Sequence, residues 1–316
     1  MHFRHRPHAL PAWYPPDSPR INQYGFFDDE FAREKPDGEF RAVAIGDSVV
    51  MGHGVMMHEA FPNALEAMLR HTDAGFRSYQ IINTGVQGYW TEQYPEVLRR
   101  TLVFGPDLVL LGFCMNDVIT FYGLDPAHGG SGLDYHGIQQ VANPWLSYLV
   151  NETGFGRLAI VLRQRRAEVE WTKRRETYSV KRLAAHSRDD PEVVEAWHNA
   201  LRDLDTFYDL AAQHRLPVVL LVFPYDFQVG HPELQEPQRI VARQAGGRGV
   251  PVLDVTPLFE QAVAQGSAVG ELFLDDVHFS ARGHLLVARA LLEFLEAHDL
   301  VRAAAAAQQE QVPHRN

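Results

Sequence analysis

Five apolar runs punctuate the chain: RAVAIGD (41–47), YQIINTG (79–85), PDLVLLGFC (106–114), LPVVLLVFP (216–224) and VPVLDV (250–255). Each is nearly continuous in hydrophobicity rather than alternating, the pattern of a parallel strand covered on both faces. Between them the apolar positions recur at helical spacing, in EAFPNALEAMLRHT (59–72), TEQYPEVLRRTL (91–102), 191–214 and ARGHLLVARALLEFLEAH (281–298). Strands that alternate with helices predict a three-layer α/β/α sandwich on a five-stranded parallel sheet. In that architecture the loops leaving the carboxyl ends of the strands build the active site.

Three stretches fall outside the alternation. Residues 1–38, rich in proline and aromatics, read as an N-terminal extended arm laid over a domain at 39–300. Residues 118–190 interrupt the step from the third strand to the fourth, opening with the Gly-rich GLDPAHGGSGLDYHG and continuing as a long polar helix. An insertion of that size after a strand end is a candidate lid or specificity element. Residues 163–182 carry eight basic side chains against three Glu, which suits a solvated helix face before an anion site. Residues 301–316, which include AAAAAQQEQVPHRN, read as a disordered tail.

Composition narrows the function classes. The chain has 316 residues and a formal net charge of −11, which argues against general affinity for nucleic acid or anionic membrane. One cysteine, Cys114, excludes an intrachain disulfide. No apolar run is long enough to span a bilayer. The N-terminal MHFRHRPHALPAWYPP lacks an apolar signal core, so a cytoplasmic location is expected unless a signal segment has been removed. Neither GxxxxGK[ST] nor GxGxxG occurs, and no cofactor is expected.

The chemistry concentrates at the predicted strand ends. Ser48 in GDSVVMGHG follows the first strand, where a serine serves as a helix cap, a phosphate ligand or a nucleophile. The absence of a phosphate loop disfavours the second role, and GxSxG, the nucleophile elbow of another fold, is also absent. Near the other end, FLDDVHFSARGH (273–284) sets Asp275 three residues before His278. One short loop would then deliver both a base and the carboxylate that fixes its tautomer. A local hydrogen-bonded turn is the plainer reading, and Asp275, Asp276, His278 and His284 are the residues a metal would use. NTGVQGY (83–89) supplies Gly88 after the second strand, and GFCMND (112–117) supplies Asn116 after the third. Each reads alone as a turn or cap; together with Ser48 they are the donor types an oxyanion needs.

GDS, then N-x-x-x-x-G, then ND, then DxxH in this order resembles the SGNH/GDSL hydrolase superfamily, from about residue 40 to 298. INQYGFFDDEF (21–31) also resembles the lead-in of some bacterial branches. The resemblance implies a flavodoxin-like fold and a catalytic Ser48–His278–Asp275 triad. It also implies an oxyanion hole from Ser48 N–H, Gly88 N–H and Asn116, with no metal. One departure is Cys114, which stands where the family often has glycine and would reshape the acyl pocket. The implied activity is hydrolysis of a small-molecule carboxylic ester, as an esterase or acetylesterase. The same machinery also serves acyl transfer or carbohydrate deacetylation, and an idle binding module on this scaffold is the rival outside catalysis.

Overall fold

The computed structural model describes residues 5–10, 14, 18, 20–119 and 180–311. The Gly-rich loop, the polar helix and all of the basic run except Lys181 and Arg182 lie outside the described residues. By its internal contacts the chain divides into two units, one of Met1–Val118 with Trp197–Asn316, the other of Ile119–Ala196. In the second unit Arg182 is ion-paired with Asp190 and, at 2.7 Å, with Glu192. That guanidinium is therefore taken up by local carboxylates.

The first unit carries the sheet. In chain order its elements are β1 (Glu39–Ile45), α1 (Ser48–Met51), α2 (Phe61–Leu69), β2 (Ser78–Asn83), α3 (Tyr94–Thr101) and β3 (Leu108–Phe113). Then come α4 (Pro191–Gln213), which counts with the first unit from Trp197 onward, β4 (Val218–Val222), α5 (Glu236–Gly247), β5 (Val252–Asp254), α6 (Thr256–Ala264), α7 (Val269–Leu272), α8 (Ala281–Ala297) and α9 (Leu300–Gln311). The five strands are all parallel in the order β2-β1-β3-β4-β5, flanked by helices as the three-layer α/β fold requires. Every residue of β1, β3 and β4 is buried, which is why β3 and β4 read as unbroken apolar runs and β1 does so from Ala42 onward. From β1 the chain passes first to β2 on one side and then to β3 on the other, so the crevice of such a sheet lies at the carboxyl ends of β1 and β3.

Glycines set how closely α1 sits on that edge. A Cβ on Gly46 would lie 2.3 Å from Val50 Cγ2, and one on Gly112 would meet the same methyl at 2.3 Å. Val50 of α1 therefore fills the space that two side chains at the ends of β1 and β3 would occupy. Gly85 plays the same part after β2, where a Cβ would come within 2.2 Å of Met51 N.

Residues 20–38 contain turns but no helix or strand, and they bury Ile21, Phe27 and Phe31. Their end is tied to β1 through Arg41, a fully buried guanidinium bonded to Glu39 Oε1 at 2.8 Å and to the carbonyls of Arg33 and Phe104. Such a charge is tolerated in a sheet because it is paired: Glu39 Oε1 lies 2.6 Å from Nη2, although Nη2 itself makes no hydrogen bond. The segment from residue 301, expected as a disordered tail, is helical through Gln311. Its alanine run has the highest intrinsic helix propensity, Val301 is buried, and Gln308 Nε2 donates to Glu39 O at 3.1 Å. No described helix is long and apolar enough to cross a membrane.

Candidate active site

Ser48 is the first residue of α1 and is buried. The cap itself is Asp47, whose Oδ1 accepts from Val49 N at 2.9 Å. The cap role considered for the serine therefore falls one residue earlier and leaves the Ser48 hydroxyl available. The helix does not use the N–H groups of its first turn, so the Ser48 amide is also available as a donor. Gly52, at φ 83°, ends α1 after a single turn and returns the chain toward His53.

The loop holding Asp275 and His278 is shaped by its own sequence. Phe273 and Phe279 form an antiparallel bridge with their rings 5.3 Å apart, both buried. Leu274 N donates to His278 O at 2.7 Å, closing the turn. Inside it the Asp275 carboxylate accepts from the amides of Val277 (3.0 Å) and His278 (2.8 Å), the local capping that short polar side chains favour. Asp275 Oδ2 also lies 2.8 Å from His278 Nδ1, so the stretch is a local turn whose carboxylate also reaches the imidazole.

Across 230 residues of sequence, His278 Nε2 stands 2.9 Å from Ser48 Oγ. Burial alone would raise the Asp275 carboxyl. The hydrogen bond and charge of His278, with the two loop amides, instead hold it well below the ordinary carboxylate range. An ionised carboxylate only accepts, so the ring hydrogen on this side belongs to His278 Nδ1, and Nε2 is the nitrogen that faces the serine. Ser48 Oγ also lies 3.3 Å from Asp47 Oδ2. With one proton to give, the hydroxyl favours the nearer imidazole nitrogen. The Ser–His–Asp array can thus pass a proton from the hydroxyl to the ring and stabilise the cation formed.

Asn116 Nδ2 donates to Asp47 Oδ2 at 2.9 Å, so Asp47 joins the serine hydroxyl, the α1 cap and the Asn116 amide. Gly88 lies in the turn leaving β2, half-buried at φ 75°, with Tyr89 N donating to Val86 O at 3.1 Å. Cys114 is buried at the end of β3, and its thiol is pushed well up by burial and by the Asp47 and Asp117 carboxylates. A thiol so disposed is not poised to ionise. Asp117 is also fully buried, bonded to Cys114 N at 2.8 Å, and raised first by burial and then by Asp47.

His284 does not turn to the site. It is fully buried on α8, where Nδ1 accepts from Phe61 N at 3.3 Å and the ring stacks on Phe61. Among the described residues no three His, Cys, Asp or Glu gather as metal ligands do. Tyr89, Phe113, Met51 and Met57, near the motifs in sequence, are core residues. Two residues escaped sequence reasoning. Asp47 reads in sequence only as the letter before the serine. The His53 ring lies 4.4 Å from the His278 ring, and its pKa falls to about 4 through burial and the charge of His278. Its spacing from Ser48 was the only available signal for His53.

A parallel α/β sheet with a Ser–His–Asp array on its carboxyl edge defines the class. The chain belongs to the GDSL-like lipase/acylhydrolase family, whose pattern it matches over residues 44–286. Among solved structures it is similar to a lipolytic protein of the G-D-S-L family from Veillonella parvula, at 13% identity, covering 81% of this chain and 98% of that one with a TM-score of 0.48. An acetylxylan esterase from Geobacillus stearothermophilus gives 15% identity, 83% and 94% coverage and a TM-score of 0.48. A lipase/acylhydrolase from Enterococcus faecalis gives 14%, 82%, 96% and 0.46. A search of the curated proteins found no match.

Proposed function

We propose that the chain is a serine hydrolase of carboxylic esters, with Ser48 as nucleophile, His278 as general base and Asp275 as its orienting carboxylate. The observation that carries this reading is the 2.9 Å approach of His278 Nε2 to Ser48 Oγ in a ring already held by Asp275. Membership of the lipase/acylhydrolase family supports the same reaction class. Ser48 Oγ adds to the ester carbonyl carbon as its proton moves to His278 Nε2. The oxyanion is held by the N–H groups of Ser48 and Gly88 and by Asn116 Nδ2. Collapse expels the alcohol, which leaves with the proton from His278. Water, deprotonated by the same nitrogen, then releases the carboxylic acid and restores the serine.

The test is labelling by a fluorophosphonate together with turnover of p-nitrophenyl acetate. The wild-type chain is expected to be labelled at Ser48 and to hydrolyse the ester. Ser48→Ala should lose both while keeping its circular dichroism. Full turnover in that variant would falsify the mechanism.

A further inference from the structure

The arm at residues 20–38 has no part in the reaction as written, yet one of its side chains is among the most buried carboxylates in the protein. Asp28 is 2% exposed and belongs to no strand or helix. Its Oδ2 accepts from Asn83 N at 3.0 Å, and its Oδ1 from Asn63 Nδ2 at 3.0 Å and Asp29 N at 2.9 Å. Asn22 shapes the turn that presents it, accepting from Tyr24 N and Phe26 N and donating to Asp29 O.

From Asp28 the bonds run to the site. Asn83 Nδ2 donates to Asn63 Oδ1 and to Met51 O, both at 3.3 Å, and Asn83 Oδ1 accepts from Gly85 N at 3.1 Å. Met51 is the last residue of α1, which Ser48 begins, and Gly85 opens the loop that carries Gly88. Gly85 already presses on the Met51 backbone, so the two segments have no room to approach further. Burial and the nearby Glu66 both oppose the charge on Asp28. An acceptor-only group is nevertheless what the place demands, because three N–H donors converge on it.

We infer that Asp28 is a positioning residue for the hydrolytic site: through Asn83 it fixes α1, with Ser48, against the loop that carries Gly88. The inference rests on the roles given above to Ser48 and Gly88. The arm is thereby part of the active-site scaffold.

The experiment compares kcat and KM for p-nitrophenyl acetate in the wild type, Asp28→Ala, Asn63→Ala and the exchange Asp28→Asn with Asn63→Asp. Each rate is divided by sites titrated with fluorophosphonate, so that misfolded protein does not count. Asp28→Ala is expected to lose ~10–100-fold in kcat per titrated site with KM within ~3-fold, the effect of displacing reacting groups by a fraction of an ångström to an ångström. Asn63→Ala should lose less. The exchange should recover part of the kcat that Asp28→Ala loses: the swapped pair still offers acceptors to Asn83 N and Asn83 Nδ2, although the new amide nitrogen at position 28 faces Asp29 N. Wild-type kcat per site in Asp28→Ala would make the residue one of stability alone and overturn the inference. An exchange that restores none of what Asp28→Ala loses would overturn it as well. Should Asp28→Ala not fold, Asn63→Ala and the exchange carry the same comparison. A wild-type chain that takes no fluorophosphonate overturns the nucleophile, and the positioning role with it.

Discussion

Asp47 is the residue on which the site's two halves meet. Its carboxylate receives Val49 N, the Asn116 amide and, at longer range, the Ser48 hydroxyl. Asn116 thereby spends one amide hydrogen on Asp47. Replacing Asn116 with alanine is expected to lower kcat by about 10²–10³, the usual loss for one oxyanion donor, with little change in KM. Steady-state hydrolysis of p-nitrophenyl butyrate checks this, and a kcat within about threefold of wild type removes Asn116 from the hole. At this scale the sequence named Ser48, Gly88, Asn116, Asp275 and His278. It left out Asp47 and His53, because a capping carboxylate and a ring packed at a tilt against another ring belong to no motif that the chain spells out.

At the scale of elements, two turns do most of the positioning. The 273–279 turn is legible locally, since its flanking phenylalanines pair with each other and Asp275 closes the loop through neighbouring amides. The contact between α1 and the loop after β2 is not, because nothing near Gly85 in sequence announces Met51. A methyl on Gly85 would meet Met51 N at 2.2 Å, and backbone cannot give way as a flexible side chain does. Gly85→Ala is therefore expected to lose about 1–3 kcal/mol of stability, read from denaturant unfolding, as overpacked sites do. Turnover should fall with it as α1 shifts. An unfolding midpoint equal to wild type would mean that α1 slides freely, contrary to the packing described. Helix α9 belongs to this scale too: alanine favours a helix in any setting, but only docking of Val301 and Gln308 decides that it persists.

The whole molecule carries a pH dependence that no single loop explains. Burial, and secondarily His278, lowers the His284 pKa from 6.5 to about 3. The unfolded chain takes up this proton below about pH 6.5, whereas the folded chain refuses it until about pH 3. Stability from this group is thus complete above pH 6.5, falls as the pH drops, and levels off near pH 3. At about 1.4 kcal/mol per pH unit, the loss between pH 6.5 and pH 5 is about 2 kcal/mol. His53 acts in the same direction but less, being partly open to solvent. His284→Gln is expected to flatten the fall of Tm with acid over this range, and thermal unfolding at several pH values measures it. A slope identical to wild type would show that His284 does not set the acid limb.

By itself the sequence determined the alternation of strand and helix, the class of fold and the order of the four polar blocks. Hydrophobic periodicity and motif spacing are local properties, and a reader of the chain has them in full. Only the tertiary structure decided that His278 reaches Ser48 across 230 residues, that Asp47 rather than Ser48 caps α1, and that Asp28 reaches Asn83 across 55. Those distances come from strand order and from how closely glycines let neighbouring segments approach. GDSVVMGHG carries the serine proposed as nucleophile, but the packing of Gly46, Gly85 and Gly112 around Val50 and Met51 sets its surroundings.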